Sequence, residues 1–343
     1  MKIFNNPLIR VVAAFLFVAV LSLSIHTVRS SVSSAPDFPT ASIGANSPVV
    51  VVEIPAGASG SAVGQILYEN KVTKSALAYF RAAVADPRSA QVAPGAHELN
   101  IEISARQALA QLLDPARIPN LIKVFEGGWK SEVIESLIKY GFTRKDIDTA
   151  FKKVILPAGF SNAEGLLFPA QYSFPAGTSA LEAVQAMVDR FSDEEMGQEL
   201  LAAKGKLTPS QLLIIASLIQ AEGGKGDFDK VSRVIRNRLE VSMPLQLDAT
   251  VHYVKKLRGE IFLSTNSTLI KSPYNTYRNY GLPPTPIGNP GAEAIAAALK
   301  PAVGDWLFFV TVAPGDTRFT RSHEEFLTWK ALFVKNRKAG VFK

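Results

Sequence analysis

The sequence predicts an α+β protein that is anchored in a membrane and consists of small βα units followed by a mixed α/β domain. Three observations lead to this prediction. An apolar run lies near the N-terminus, a strand–glycine–helix pattern recurs after about 70 residues, and helical and strand patterns alternate beyond residue 200. At 343 residues with 47% hydrophobic content, the chain is long enough for two or three compact units.

The composition excludes several kinds of site. The chain has no cysteine, and its four scattered histidines show no metal-binding spacing, so neither a metal nor another cofactor is expected. The formal net charge of +7 suits a polyanionic neighbour such as anionic lipid or a cell-wall polymer. Nucleic acid is not favoured as a partner, because the basic residues form no stripe with interleaved aromatic side chains.

The apolar run at residues 11–28 predicts a single transmembrane helix. Its 18 residues would form a helix about 27 Å long, which is enough to cross a bilayer core. Lys2 and Arg10 precede it, and by the positive-inside rule they keep residues 1–10 in the cytoplasm and place the rest of the chain outside the cytoplasmic membrane. The alternative is a signal peptide that is cleaved near Ala35.

Residues 29–48 have the Ser, Ala and Pro content of a linker, and two similar regions follow it. In the first, at 49–115, a β-branched strand, a glycine turn and a helix come in succession. The second, at 116–200, repeats this order, and it matches Gly57 with Gly127 and Leu67 with Leu137. A fainter third copy of the turn begins at Pro175. Chance similarity of short βα segments is the alternative to a true repeat.

The third region, at 201–343, begins with a helix whose two ends are marked in the sequence. Thr208, Pro209 and Gln211 form a capping box, and Gly223 ends the helix directly after Glu222. A second amphipathic helix follows at "DKVSRVIRNRLEV", and a loop rich in proline and glycine at "SPYNTYRNYGLPPTPIGNPG". The pattern then predicts a helix at "AEAIAAALK", a strand at "DWLFFVTV" and a final helix at "SHEEFLTWKALFVKNRK".

Glu222 is the candidate catalytic residue. Its spacing from Leu212, Ile215 and Ile219 puts it on the apolar stripe of the helix, where burial and the negative end of the helix dipole should raise its pKa. A carboxyl group that stays protonated near neutral pH is what a general acid requires. The alternative is an exposed glutamate on a frayed helix end.

Nearby segments supply groups that suit a saccharide cleft. The loop carries polar and aromatic side chains on a proline-rich scaffold, and the segment "PLQLDATV" alternates polar residues that would share one face if it were extended. The candidate substrate-binding residues are Asn237, Arg238, Gln246, Asp248, Thr250, Tyr274, Asn275, Thr276 and Tyr277. A surface connector and ordinary polar surface are the alternatives.

Several motifs together resemble one family. "ASLIQAEGG", "RNRLEVSMPLQLDATVHY" and the loop "SPYNTYRNYGLPPTPIGNPG" resemble, in order and spacing, the YceG-like endolytic murein transglycosylases, and "EGLLFPAQYSFPAGTS" resembles the segment that precedes their catalytic part. The resemblance covers about residues 50–340. There are two departures: this chain has Gln220 where members often carry a second acid, and Ala249 where they usually have proline.

The resemblance implies a single-pass protein of the inner membrane with LysM-like subdomains at 49–115 and 116–200 and a catalytic domain at 201–343. Its substrate would be nascent peptidoglycan glycan strands. The N-terminal helix would contact membrane lipid, and peptidoglycan synthases would be further candidate partners. Glu222 would protonate the glycosidic oxygen between MurNAc and GlcNAc and would then take the proton of the C6 hydroxyl group. This closes a 1,6-anhydro ring on MurNAc and ends elongation of the strand.

Two other functions remain open from the sequence. A hydrolytic muramidase would need a second carboxylate, for which Asp227, Asp229 and Asp248 are candidates. A non-catalytic, membrane-anchored glycan-binding scaffold would use the repeats alone.

Overall fold

A computed structural model of the chain describes residues 35–44, 46–119, 121–175, 177–258 and 266–342. The predicted cytoplasmic segment and transmembrane anchor lie outside these residues. No helix within the described residues is long and apolar enough to span a bilayer. The predicted α+β class is confirmed, since helices combine with small antiparallel sheets.

Helices and strands follow one another in this order: β1 (Val49–Ile54), α1 (Gly60–Glu69), α2 (Ala76–Ala85), β2 (Gly95–Asn100), α3 (Ala105–Leu112), β3 (Ile122–Lys123), α4 (Lys130–Tyr140), α5 (Arg144–Lys153), β4 (Gln171–Tyr172), α6 (Ala180–Asp193), α7 (Glu195–Leu201), α8 (Pro209–Glu222), α9 (Phe228–Glu240), α10 (Asp248–Lys255), α11 (Ala292–Leu299), β5 (Phe308–Ala313), β6 (Asp316–Thr320) and α12 (His323–Lys338). Short 3-10 turns lie at Pro87–Gln91, Pro115–Arg117, Lys225–Asp227 and Ser267–Leu269.

Two compact units divide the chain. One runs to Pro119 and includes Ser173–Gly177, and the other comprises Asn120–Tyr172 and Thr178–Lys343. Residue 200, where the sequence predicts a boundary, lies inside the second unit. Most of the segment predicted as the second LysM-like region therefore shares a compact unit with the predicted catalytic domain.

The first unit is a strand–helix–helix–strand arrangement followed by α3. β1 and β2 pair antiparallel, with Val49 opposite Asn100 and Ile54 opposite Gly95. The strand face that carries Val52 packs on the helices, and Leu67 of α1 is fully buried in the same core. Serine side chains cap the helices of this unit, so their sequence signals are local and strong.

The predicted repeat is present in the second unit, and it is longer than the sequence suggested. β3, α4, α5 and β4 follow the order of β1, α1, α2 and β2, again with antiparallel strands. Gly57 and Gly127 both have φ of +72°, a left-handed conformation that glycine adopts readily, and Leu67 and Leu137 are both fully buried. The equivalence of these strand–helix–helix–strand arrangements to LysM domains stays a prediction.

α8 is the central helix of the second unit. The sequence predicts one buried stripe, but the structure buries every residue from Leu212 to Ile219. The physical reason is that α7, α9, α10 and α11 all pack against it. The capping box of Thr208 and Gln211 opens the helix as predicted, and the helix ends at Glu222.

The segment "PLQLDATV" differs from the extended form in which its polar residues would share a face. Gln246 has a left-handed φ of +47°, and Asp248 begins the helix α10. An acidic residue in the first turn is favourable for a helix. The alternation of Gln246, Asp248 and Thr250 therefore does not place their side chains on one face of a strand.

Candidate active site

Glu222 is the last residue of α8, and the first turn of α10 faces it. The backbone N–H of Ala249 donates a hydrogen bond to Glu222 Oε1 at 3.0 Å. Ala249 is the second residue of its helix, and a first-turn N–H has no partner within its own helix. Glu222 Oε1 thus accepts a hydrogen bond from a backbone N–H that has no partner within α10. The other oxygen, Oε2, has no hydrogen-bond partner among the described residues.

The surroundings raise the pKa of Glu222 from its ordinary value of 4.5 to about 7. Burial is the main cause, because it disfavours the charged form, and the charge of Asp248 acts in the same direction. The N–H of Ala249 and the charge of Arg238 oppose the rise. At neutral pH a substantial fraction of Glu222 is therefore protonated, as a general acid must be.

Asp248 and Tyr277 form a pair beside the acid. Tyr277 donates its hydroxyl proton to Asp248 Oδ1 at 2.5 Å, and burial with this bond raises the pKa of Tyr277. Both side chains are partly buried. Of the other carboxylates considered for a second catalytic group, Asp227 pairs with Lys230, and Asp229 is exposed.

The side chains of Arg238 and Asn237, both on α9, donate hydrogen bonds to backbone carbonyl groups of the protein. Arg238 is buried and donates to the carbonyl oxygens of Leu245 and Leu307, at 2.6 Å each. Asn237 donates to the carbonyl oxygen of Trp306 at 2.8 Å. The structure thus places these two predicted substrate-binding residues among backbone carbonyls, where they hold the segments before α10 and before β5.

Three other predicted substrate-binding residues are also buried. Thr250 and Thr276 bond to each other, and between them they bond both backbone groups of Leu247. Asn275 donates to the carbonyl oxygens of Thr268 and Ile270. Their polar atoms bond within the protein and at most 2% of each residue is exposed, so these side chains support the loop around the acid. Their predicted role in sugar binding stays a prediction.

Of the remaining candidates, Gln246 is exposed and Tyr274 is partly buried. The backbone N–H of Gln246 donates to the carbonyl oxygen of Thr276, which ties the turn before α10 to the proline-rich loop. The ring of Tyr274 packs on that of Tyr253, with centroids 5.2 Å apart, and Tyr253 packs edge-on against Trp129 at 5.8 Å. An aromatic cluster of Trp129, Tyr253 and Tyr274 therefore flanks α10.

Sequence reasoning missed Asn289 and the structural role of Gln220, both of which fix the site. Asn289 is fully buried, accepts from the N–H groups of Gly165 and Leu167, and donates to the carbonyl oxygen of Gly128. Gln220 accepts from the N–H of Gly291 at 2.9 Å, which joins α8 to the start of α11. Asn289 lies between glycine and proline, the only local signal that it holds a turn.

Glu164 is a second buried carboxyl group. It accepts from the Tyr253 hydroxyl at 2.8 Å and from the N–H of Lys130 at 2.9 Å, and burial raises its pKa. These bonds connect α10 and the start of α4 to the segment that follows α5. Within the described residues no cluster of three or more His, Asp or Glu could hold a metal ion.

Comparison with known proteins gives consistent results. Residues 52–331 match the YceG-like family. An endolytic murein transglycosylase of Bacillus subtilis is 31% identical over 310 residues, which cover 84% of this chain and 86% of that protein. An endolytic murein transglycosylase of Streptococcus pneumoniae is 36% identical over 169 residues, 47% of this chain and 30% of the longer streptococcal protein.

A crystal structure of a YceG-like protein from Listeria monocytogenes is also similar. It has 25% sequence identity and a TM-score of 0.54, with 82% of this chain and 98% of the Listeria chain covered. The family match spans more than half of the chain, and the Bacillus relative aligns over most of its own length. The chain therefore belongs to the YceG-like family.

Proposed function

We propose that the protein is an endolytic peptidoglycan lytic transglycosylase that cuts glycan strands between MurNAc and GlcNAc and leaves 1,6-anhydro-MurNAc ends. The observation that carries the proposal is the environment of Glu222: a partly buried carboxyl group at a helix end, with a pKa raised to about 7 and one oxygen that has no hydrogen-bond partner in the described part of the chain. The relatives that carry the name endolytic murein transglycosylase support the same activity.

The reaction needs two proton transfers, and one group makes both. Protonated Glu222 donates from Oε2 to the glycosidic oxygen, so the bond to C1 of MurNAc breaks and the leaving sugar departs with a new hydroxyl group. Glu222, now a carboxylate, takes the proton of the C6 hydroxyl, whose oxygen bonds to C1. The ring closes without water, and Glu222 is protonated again for the next strand.

Hydrolysis by a muramidase is the second candidate, because Asp248 lies beside the acid. A hydrolase uses a second carboxylate as nucleophile or base. Asp248, however, already accepts a hydrogen bond from the Tyr277 hydroxyl group at Oδ1, so this oxygen is occupied. The two reactions give different products: transglycosylation leaves anhydro ends, whereas hydrolysis leaves reducing ends and adds one water.

The rest of the chain supports a place at the cell envelope. We propose that residues 11–28 anchor the protein in the cytoplasmic membrane and that the catalytic unit lies outside it, as the charge and length of that segment suggest. The two strand–helix–helix–strand arrangements would be LysM-like and would grip the glycan strand. Peptidoglycan synthases are proposed as partners, since they make the strands that would be cut.

The decisive test is Glu222→Gln in the purified full-length chain. Gln keeps the shape of Glu and can still accept from Ala249, but it cannot give and recover a proton. Loss of general acid–base catalysis lowers the rate by about 10²–10⁴-fold, and the upper end is expected because both transfers use this residue. Mass spectrometry of digested glycan measures the anhydro ends.

Glu240→Gln is the matched control, since Glu240 is an exposed glutamate at the end of α9. It should cleave at the wild-type rate. Near wild-type formation of anhydro ends by Glu222→Gln would refute the proposed acid, and reducing ends from the wild-type protein would favour the muramidase.

A further inference from the structure

The first turn of α10 acts on Glu222 through two neighbouring groups with opposite electrostatic effects. The N–H of Ala249 carries partial positive charge and bonds Oε1 at 3.0 Å. Asp248, the preceding residue, carries a full negative charge and is held by the Tyr277 hydroxyl at 2.5 Å. Asp248 and Tyr277 are therefore bonded to each other, although the sequence suggested that each binds substrate.

We propose that the first turn of α10 fixes which oxygen of Glu222 carries the proton and directs that oxygen to the substrate, with Asp248, Ala249 and Tyr277 acting as positioning residues through Glu222. This inference rests on the proposed function, because it concerns the acid of that reaction. It assigns to these residues a role that does not require contact with the sugar.

The geometry determines which oxygen carries the proton. An N–H group bonds only to an acceptor, so the Ala249 amide favours the protonated carboxyl with its carbonyl oxygen at Oε1. The hydroxyl group is then Oε2, which has no partner within the described residues and is free to donate. Without the amide, either oxygen would carry the proton.

The charges determine how firmly the proton is held. The groups that face Glu222 are Asp248 and Ala249 from α10 and Arg238 from α9, and Tyr277 acts through Asp248. Asp248 opposes ionisation of Glu222, whereas Ala249 and Arg238 favour it. Arg238 is held in place by two backbone carbonyls. Substitutions in the first turn of α10 are therefore the way to change the pKa of Glu222 without moving Arg238.

Asp248→Asn in the full-length protein tests the charge. Asn keeps the shape and still accepts the Tyr277 proton, so only the negative charge is lost. As Glu222 ionises, cleavage falls to half its maximal rate at a certain pH, and this midpoint should be lower in the variant. At a pH above both midpoints, the variant should cleave tenfold more slowly than wild type for each pH unit by which its midpoint is lower. Asp189→Asn is the matched control, because Asp189 is exposed on α6 and also accepts a side-chain hydrogen bond; its midpoint should not move.

Ala249→Pro tests the amide. Proline has no N–H, and its fixed φ suits the first turn of a helix. The midpoint should move to higher pH, opposite to Asp248→Asn. Ala249→Gly keeps the N–H and should leave the midpoint unchanged.

Tyr277→Phe tests the anchor of Asp248. It should lower kcat by about tenfold through misplacement of the acid and leave KM unchanged. A raised KM with unchanged kcat would instead show that Tyr277 binds the sugar, and would overturn its positioning role.

The carbon-13 shift of the Glu222 carboxyl group, followed against pH without substrate, gives the same midpoints independently of activity. Opposite displacements in Asp248→Asn and Ala249→Pro support the inference. If neither midpoint moves, or both move in the same direction, the inference is wrong. A wild-type protein that cleaves no glycan would refute the proposed function, while this titration would still decide the role of the first turn of α10.

Discussion

At the scale of single residues, the raised pKa of Glu222 links its protonation to the stability of the fold. A carboxyl group whose pKa is about 7 in the folded chain and 4.5 in the unfolded chain binds more protons when folded. The contribution of Glu222 to the free energy of unfolding is therefore fully present below about pH 4.5. It falls as the pH rises to about 7, and it does not fall further above that pH.

Glu222→Gln should remove this loss, because Gln does not ionise. Between pH 4.5 and 8, the free energy of unfolding of the variant should improve relative to wild type by about 1–3 kcal/mol. Urea unfolding at both pH values measures the difference. If the two proteins lose stability equally over this range, Glu222 does not have the raised pKa that the proposed mechanism uses.

Residues around the acid also show where sequence reasoning reaches its limit. Glu222 could be identified because its helix is marked by local signals, the capping box of Thr208 and Gln211 and the glycine that follows. Thr250 and Thr276 could not be placed, since they lie 26 positions apart and their burial depends on their mutual contact. Whether a polar side chain faces water or a distant backbone group is decided by tertiary packing.

At the scale of elements, close packing of two loops constrains Gly165. It has φ of +89°, and an added Cβ would lie 2.7 Å from Pro286 and 3.1 Å from Leu213 of α8. Gly165→Ala should therefore destabilise the protein by about 2–4 kcal/mol, through backbone strain and overpacking together.

Gly159→Ala provides the matched control for this prediction. Gly159 has nearly the same φ, +87°, but an added Cβ would meet no atom within 4 Å. Its cost should be only the backbone strain, about 1–2 kcal/mol. Thermal unfolding of both variants measures the two losses, and equal losses would mean that the contact with Pro286 and Leu213 is not tight.

Elements were predictable to different degrees. Strand β1 and helices α1, α8, α9, α11 and α12 follow from periodicity and caps, and the structure confirms them. The start of α10 does not, because a short polar–apolar alternation fits a strand and a helix end equally well. The second helix and the closing strand of each repeat were missed; the closing strand of the second repeat, β4, has only two residues, but that of the first, β2, has six.

At the scale of the whole molecule, the second compact unit needs residues that precede the predicted catalytic domain. Leu200 of α7 is fully buried, and α7 packs against α8 and α11. Asn289 bonds Gly128, Gly165 and Leu167. A fragment of residues 201–343 would lose these contacts and expose the apolar surface that they cover.

We expect residues 120–343 to fold cooperatively and residues 201–343 not to fold. Near-UV circular dichroism and thermal melting distinguish the two results, because fixed tertiary packing gives a near-UV signal. A fragment 201–343 that melts as cooperatively as 120–343 would show that the regions on either side of residue 200 are independent domains.

The burial of the middle of α8, Leu212–Ile219, has a further consequence for how often the region around the acid opens. Backbone amides exchange with solvent deuterium only when their hydrogen bonds open, and the most deeply packed helices open only with the whole molecule. The amides of Ile215–Ile219 should be among the slowest to exchange, and their opening free energy should equal that of global unfolding. Faster exchange there than in α12, which has no buried residue, would contradict this expectation. Glu222 is thus attached to the part of the unit that opens least often, so local fluctuations of the surface loops rarely disturb the backbone that carries it.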